Sequence, residues 1–265
     1  MARKILIEKS FLAGGKVLAQ TRADLYNKPT GINLFAGGLT VLLFVVASVS
    51  LVGYFRNSRN GKARAAEQYF LFLVYGTVVF QVIHTLEHIL QAGFWVRHPY
   101  SFPWLSPWAL AAQRGLTTFF DPQARLQSGN EVLHLLGNGV FFAGLVAMVD
   151  ALKKAGVNKS SRRWATWAYY VEGFHLIEHA LLTSTWYLFG IPRGVTTYFG
   201  LAYKFPSPWA SGNRILWHFV LNLVPTVLVL GGVGELRRAG LLKENGLARV
   251  FSRPGEAALE GTPAR

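Results

Sequence analysis

The chain has 265 residues, is 51% hydrophobic with a positive mean hydropathy, and carries 27 Lys and Arg against 13 Asp and Glu. Its apolar runs exceed what a nucleic-acid-binding domain needs, so the basic excess reads as membrane flanks and no nucleic-acid partner is expected. It contains no cysteine, which excludes disulfides, thiolate metal sites and cysteine nucleophiles and leaves nitrogen and oxygen to hold any metal.

Residues 1–31 open with a basic stretch, but Glu8, Lys9 and Lys16 interrupt any apolar signal core. The segment is read as a short helix at the membrane interface and not as a cleaved leader. A bilayer core about 30 Å thick takes about twenty apolar residues in a helix. Five stretches meet that need, 32–55, 68–95, 131–152, 163–189 and 214–235, so the expected fold class is an all-α integral membrane protein with five transmembrane helices. The connections 56–66 and 153–163 and the tail 236–265 are rich in Lys and Arg and are expected in the cytoplasm. The longer connections 96–130 and 190–213, with many aromatics and prolines, are expected outside, which leaves the N-terminus outside despite six basic residues in 1–31. The final residues after Phe251 are expected to be disordered.

An internal repeat organises the rest. "RGLTTFF" (Arg114 to Phe120) returns as "RGVTTYF" (Arg193 to Phe199), and "SGNEVLH" (Ser128 to His134) returns loosely as "SGNRILWH" (Ser211 to His218). "HTLEH" (His84 to His88) likewise returns as "HLIEH" (His175 to His179), in the same order. We therefore divide the chain into an added helix, 32–55, a first two-helix unit, 67–152, and a second, 162–235. Both units start on the same side, so the expected relation is a parallel pseudo-twofold axis along the membrane normal.

The repeated motif carries the chemistry. A helix turns about 100° per residue, which puts His84, Glu87 and His88 on one face with Gln81, and His175, Glu178 and His179 on one face with Glu172. The third predicted helix adds His134 and, a turn on, Asn138; the fifth adds His218 and Asn222. With a rise of about 1.5 Å per residue all six histidines and both glutamates reach one level, in the outer third of the bilayer. Ionisable groups in hydrocarbon cost free energy unless paired, so eight at one depth point to a metal centre instead of to helix packing alone. Neutral imidazole suits iron, copper or zinc, and a carboxylate offsets the charge of the cation. His84, Glu87, His88, His134, His175, Glu178, His179 and His218 are the candidate ligands, more than one ion needs, so two ions, or one ion with an outer shell, are expected. Gln81, Asn138, Glu172, Asn222, Glu131 and Arg214 are the candidates to orient them from behind.

The donor set resembles that of four-helix di-metal proteins, whose ligands project inward from every helix. The kind of site also resembles that of the integral-membrane di-iron hydroxylases and desaturases, although their histidine boxes have other spacings. Because the site opens to an apolar medium and has redox-capable ligands, the expected function is a non-haem metal oxidoreductase acting on a lipid, a hydrocarbon or a quinol, with an electron-donor protein as partner. Three other readings stay open. Histidines on neighbouring transmembrane helices also hold haem b. The H-x-x-E-H spacing resembles that of the inverted zinc peptidases, which implies intramembrane proteolysis. Intramembrane His and Glu also mark the paths of divalent-metal transporters. Trp95, Trp104, Trp108, Trp186, Trp209 and Trp217 fall on the outer side and roof the site or form an aromatic belt, with Arg114 and Arg193 as candidates for an anionic headgroup or substrate carboxylate. The expected setting is a prokaryotic plasma membrane, with lipids as partners and the site toward the outer leaflet.

Overall fold

The structure is a computed structural model that describes residues 30–98, 104–121, 123, 126–195 and 209–251, of which residues 126, 209–214 and 251 are described in backbone only. Among these residues the fold is entirely helical: α1 Gly31–Arg59, α2 Ala63–Arg97, α3 Pro107–Phe120, α4 Leu126–Lys154, α5 Arg163–Phe189, α6 Trp209–Arg238 and α7 Gly246–Phe251. The five long helices cover the five predicted stretches. α3 falls inside 96–130, which was expected to be a connection. Its start is local: the Ser106 hydroxyl accepts the backbone N–H of Ala109 at 3.1 Å, and Pro107 fills the first helical position, where a missing N–H costs nothing.

Four helices, α1, α2, α4 and α6, are both long and apolar enough to cross a membrane. The fifth expected span, α5, is 27 residues long, about 40 Å, which suffices for a bilayer core, but its buried Glu172, His175, Glu178 and His179 lower its hydropathy. Its outer face still reads as lipid-facing. Trp167, Tyr170, Phe174, Ile177, Leu181 and Leu188 form an exposed apolar stripe opposite those polar residues, as Phe72, Tyr75, Val79, Ile83, Leu86 and Leu90 do on α2. Ile177 is 58% exposed and His179 0%; Ile83 is 63% exposed and His88 2%. This apolar-out, polar-in pattern inverts that of a water-soluble bundle. The chain is an all-α membrane protein.

α2, α4, α5 and α6 form a four-sided bundle: α2 packs on α4, α4 on α5, α5 on α6 and α6 on α2. Contacts run in opposite directions along each neighbouring pair. Thr77 and His84 of α2 meet Val140 and His134 of α4, and Ala165 and His179 of α5 meet Gly232 and His218 of α6. All four pairs are antiparallel, so α2 and α5 lie diagonally opposite and run the same way, as do α4 and α6.

The bundle core changes character along its length. Toward the N-terminus of α2 it is apolar, built from Phe70, Leu73, Phe141, Leu145, Met148 and Leu152. Toward the other end it carries the histidines. At the apolar end the Glu235 carboxylate accepts the backbone N–H groups of Trp164 and Ala165 at 2.9 and 3.0 Å, which caps the α5 N-terminus and fixes its register against α6. α1 and α3 flank this bundle on the side of the first unit. They cross backbone to backbone: a Cβ added at Gly37 would lie 2.7 Å from the Gly115 carbonyl carbon, so only glycine permits the approach.

Candidate metal centre

The local fold sets which nitrogens point inward. His84 and His88 of α2 are one helical turn apart, so their imidazoles share a face and their Nε2 atoms lie 3.3 Å apart. His175 and His179 of α5 do the same at 3.1 Å. α4 contributes His134 and α6 contributes His218, whose Nε2 lies 3.2 Å from that of His179. Three ring nitrogens, from His175, His179 and His218, thus gather at one point with all ligand atoms within 4.8 Å, and all three side chains are buried.

The remaining rings close the cluster. His134 stacks on His179 with centroids 4.9 Å apart and planes at 11°, and His88 stacks on His218 at 5.9 Å and 27°. His84 and His134 are 5.9 Å apart, and His175 and His218 are 6.1 Å apart. These pairs correspond under the repeat, in which α2 matches α5 and α4 matches α6. His134 and His218, which exchange under it, face each other at 5.5 Å. Such pairing is what a twofold axis between α4 and α6 produces.

The hydrogen bonds behind the rings determine which nitrogen carries a proton. His134 Nδ1 lies 2.8 Å from the carbonyl of Asn130, and His175 Nδ1 lies 3.4 Å from the Glu172 carboxylate. The Asn130 carbonyl can only accept, so Nδ1 of His134 donates and the neutral ring presents an Nε2 lone pair to the cluster; with Glu172 ionised, His175 does the same. Imidazoles that hold metal have this arrangement. Hydrogen bonds within the cluster cannot absorb it: Nε2 of His179 faces two other Nε2 atoms at once. Spacings of 3.1–3.3 Å are those that bonds of about 2.0–2.1 Å meeting at roughly 95–110° would impose. The buried three-histidine group can hold a metal ion.

The glutamates of the two motifs turn partly elsewhere. Glu87 Oε1 accepts the backbone N–H of Ser106 at 2.7 Å, and a carboxylate oxygen of Glu178 accepts that of Val195. Each carboxylate therefore fastens the connection that follows its own helix to the histidine layer. Gly194 makes room for this, since a Cβ there would fall on the Glu178 carboxylate. The spacing predicted that these residues share a face with the histidines, whereas their partners, 19 and 17 residues further along the chain in the connections, lay beyond helical periodicity.

The supporting residues form a second layer, one turn toward the apolar end. Gln81 donates to the Asn222 carbonyl and the Thr226 hydroxyl, both at 3.1 Å, and the Thr85 and Thr226 hydroxyls are 2.6 Å apart. Asn222 donates to the carbonyl of His218 at 2.8 Å. Asn138 and Glu172 lie at the same level, both 0% exposed. Thr85 and Thr226 were not singled out from the sequence; each lies one turn from Gln81 or Asn222 on the same stripe, which is the signal that finds them. Glu131 is buried above His134 and accepts from Gln127. The side chain of Arg214 lies outside the described residues. Of the headgroup candidates, Arg114 is half-buried on α3 and Arg193 is exposed, its backbone N–H bonded to the Thr185 hydroxyl at 2.7 Å. Trp95 is buried and Trp108 exposed, whereas the side chain of Trp209 lies outside the described residues.

The sequence model of a family described as Family of unknown function (DUF6008) matches residues 27–245, a stretch that contains α1 to α6 and every residue of the site. No curated protein and no solved structure matches the chain.

Proposed function

The chain belongs to this family of unknown function, and we propose that it is a membrane metalloprotein whose histidines hold one or two non-haem ions for oxidation–reduction on an apolar substrate. The observation that carries this reading is the convergence of the Nε2 atoms of His175, His179 and His218, with Nδ1 of His175 held by Glu172. His84, His88 and His134 form the matching half, in which a second ion binds. Glu87 and Glu178 supply negative charge at the same level and tie the adjoining connections to the metal centre. Iron or copper on such imidazoles would supply one-electron chemistry. The lipid-facing surface of the bundle favours a lipid, hydrocarbon or quinol as substrate, with an electron-donor protein completing the cycle.

The geometry favours this over the other readings. Haem needs a flat slot between two axial imidazoles, and here the rings pack against one another at 4.6–6.1 Å. A transporter needs a polar route through the protein, and the apolar core around Phe70, Leu73, Phe141 and Leu145 blocks one toward the end opposite the site. A peptidase needs one H-x-x-E-H motif with a glutamate free to act as base, whereas both glutamates here bind loop backbone.

Lys and Arg concentrate at the apolar end, in 56–66, 153–163 and the segment after Glu235. On the positive-inside rule that end faces the cytoplasm of a prokaryotic cell and the metal centre faces the outer leaflet. Arg114 and Arg193 then lie where a headgroup or substrate carboxylate arrives.

Elemental analysis and an absorption spectrum of purified protein test the metal assignment. Stoichiometric iron, copper, zinc or manganese without a Soret band is expected, whereas a Soret band would replace the reading with haem b. Orientation is tested by single cysteines in this cysteine-free chain: a cysteine at position 159 should resist an impermeant reagent added from outside.

A further inference from the structure

Below the histidines, toward the apolar end, lie polar atoms that the metal centre does not account for. Gln81 on α2, Asn138 on α4 and Glu172 on α5 are each 0% exposed, and each stands three or four residues from a histidine, on the side of the apolar core. Because neighbouring helices are antiparallel, these offsets bring all three to one level, about 4.5–6 Å below the imidazoles. At this level the inner faces of the four helices meet. α6 closes it with Asn222 and Thr226.

Within this layer Gln81 Oε1, Glu172 Oε1 and both side-chain atoms of Asn138 have no hydrogen-bond partner. Exchanging the amide oxygen and nitrogen of Asn138 changes nothing, because both are unpartnered. Each buried unpaired polar group costs about 1–3 kcal/mol, which a stable fold recovers by binding something polar there. The donors and acceptors present decide what binds. Three oxygens can accept, or could ligate a cation, but the Asn138 amide N–H groups need an acceptor, which a cation cannot be. Water supplies both functions and needs two to four such partners.

We infer that the layer formed by Gln81, Asn138 and Glu172 is a built water site, closed below by apolar side chains such as Phe141, Ala168 and Val229. The bound water joins the Asn138 amide to the free carboxylate oxygen of Glu172, whose other oxygen faces His175. It makes the inner side of the histidine cluster wet, while the outer surface of the same helices faces hydrocarbon. The inference rests on side chains below the metal ligands and holds whether or not a metal binds.

The test uses the full chain stripped of metal by a chelator, so that failure of the metal reading leaves its result interpretable. Asn138→Leu, close in volume, should lower the melting temperature by about 2–6 °C, because Gln81 and Glu172 lose a bridging partner. An increase would overturn the proposal, since replacing a dry, orphaned amide by hydrocarbon stabilises. If the variant does not fold, an experimental structure of the unmodified protein that resolves ordered water decides. Water oxygen bonded to Asn138 and to Gln81 or Glu172 supports the site. Side chains closed directly on one another, or a peak at metal–oxygen lengths of about 2.0–2.6 Å, overturn it.

Discussion

The two halves of the histidine cluster use the same residues at the same spacing and differ in how they are supported. In the second half His175 and His179 are 0% exposed and His218 6%, Nδ1 of His175 faces a carboxylate, and the Nε2 atoms approach to 3.1 and 3.2 Å. In the first half His84 and His134 are only half-buried, and Gln81, in the place of Glu172, directs its amide across to α6. The two halves thus differ: His175, His179 and His218 gather an enclosed nitrogen triad, and His84, His88 and His134 form a more open set of imidazoles. On the proposed function, the enclosed triad holds its metal tightly, and the open set is where substrate reaches metal. An imidazole oriented by a buried carboxylate is the more basic ligand, and a buried ligand exchanges less readily with solvent or lipid.

The comparison is broken or sharpened most strongly at the ligands. After treatment with a chelator, His179→Ala should leave at most the loosely held ion of the open half by elemental analysis, because His179 faces both neighbouring nitrogens of the enclosed triad. His84→Ala should leave one ion in place. Equal loss in the two variants would mean that the halves are equivalent. Next in size are the residues that make the halves differ. Glu172→Gln should weaken metal binding about 10- to 100-fold in a competition titration with a chelator. Gln81→Glu, which gives the first half the second half's carboxylate, should tighten it there, and no response to either change would remove the physical basis of the asymmetry.

Smaller effects are expected where the motifs hold the connections. Glu178→Gln retains an oxygen for the Val195 N–H but loses the charge. It should lower the melting temperature by about 2–6 °C, given about 1–1.5 kcal/mol for the lost charge assistance. Gly194→Ala places a Cβ against the Glu178 carboxylate and should have a comparable effect by displacing the connection, whereas Glu178→Gln combined with Gly194→Ala should cost less than the sum. The smallest change is expected at Arg193→Ala, an exposed side chain: stability within about 0.5 kcal/mol of the parent by thermal melt, so that any loss of lipid or substrate binding is assigned to the headgroup role.

Much of this was legible in the sequence because it is written in local periodicity. Apolar length marked the five long helices, and the spacing of His84, Glu87 and His88 put them on one face whatever the tertiary fold. The recurrence at His175, Glu178 and His179 marked the second unit. The short helix Pro107–Phe120 was missed because, at 14 residues, it falls below the length of about twenty that marked the others, although its buried face carries Leu116 beside Ala111, Ala112 and Gly115. Which partner a side chain takes is a matter of distances between elements, which spacing along one helix does not encode. Only the packed bundle decided that α2 and α5 stand diagonally opposite, and that the two motif glutamates bind Ser106 and Val195. It also decided that burial separates two sets of histidines of identical composition, because the neighbours that bury His175 fully and His84 only in part come from other helices.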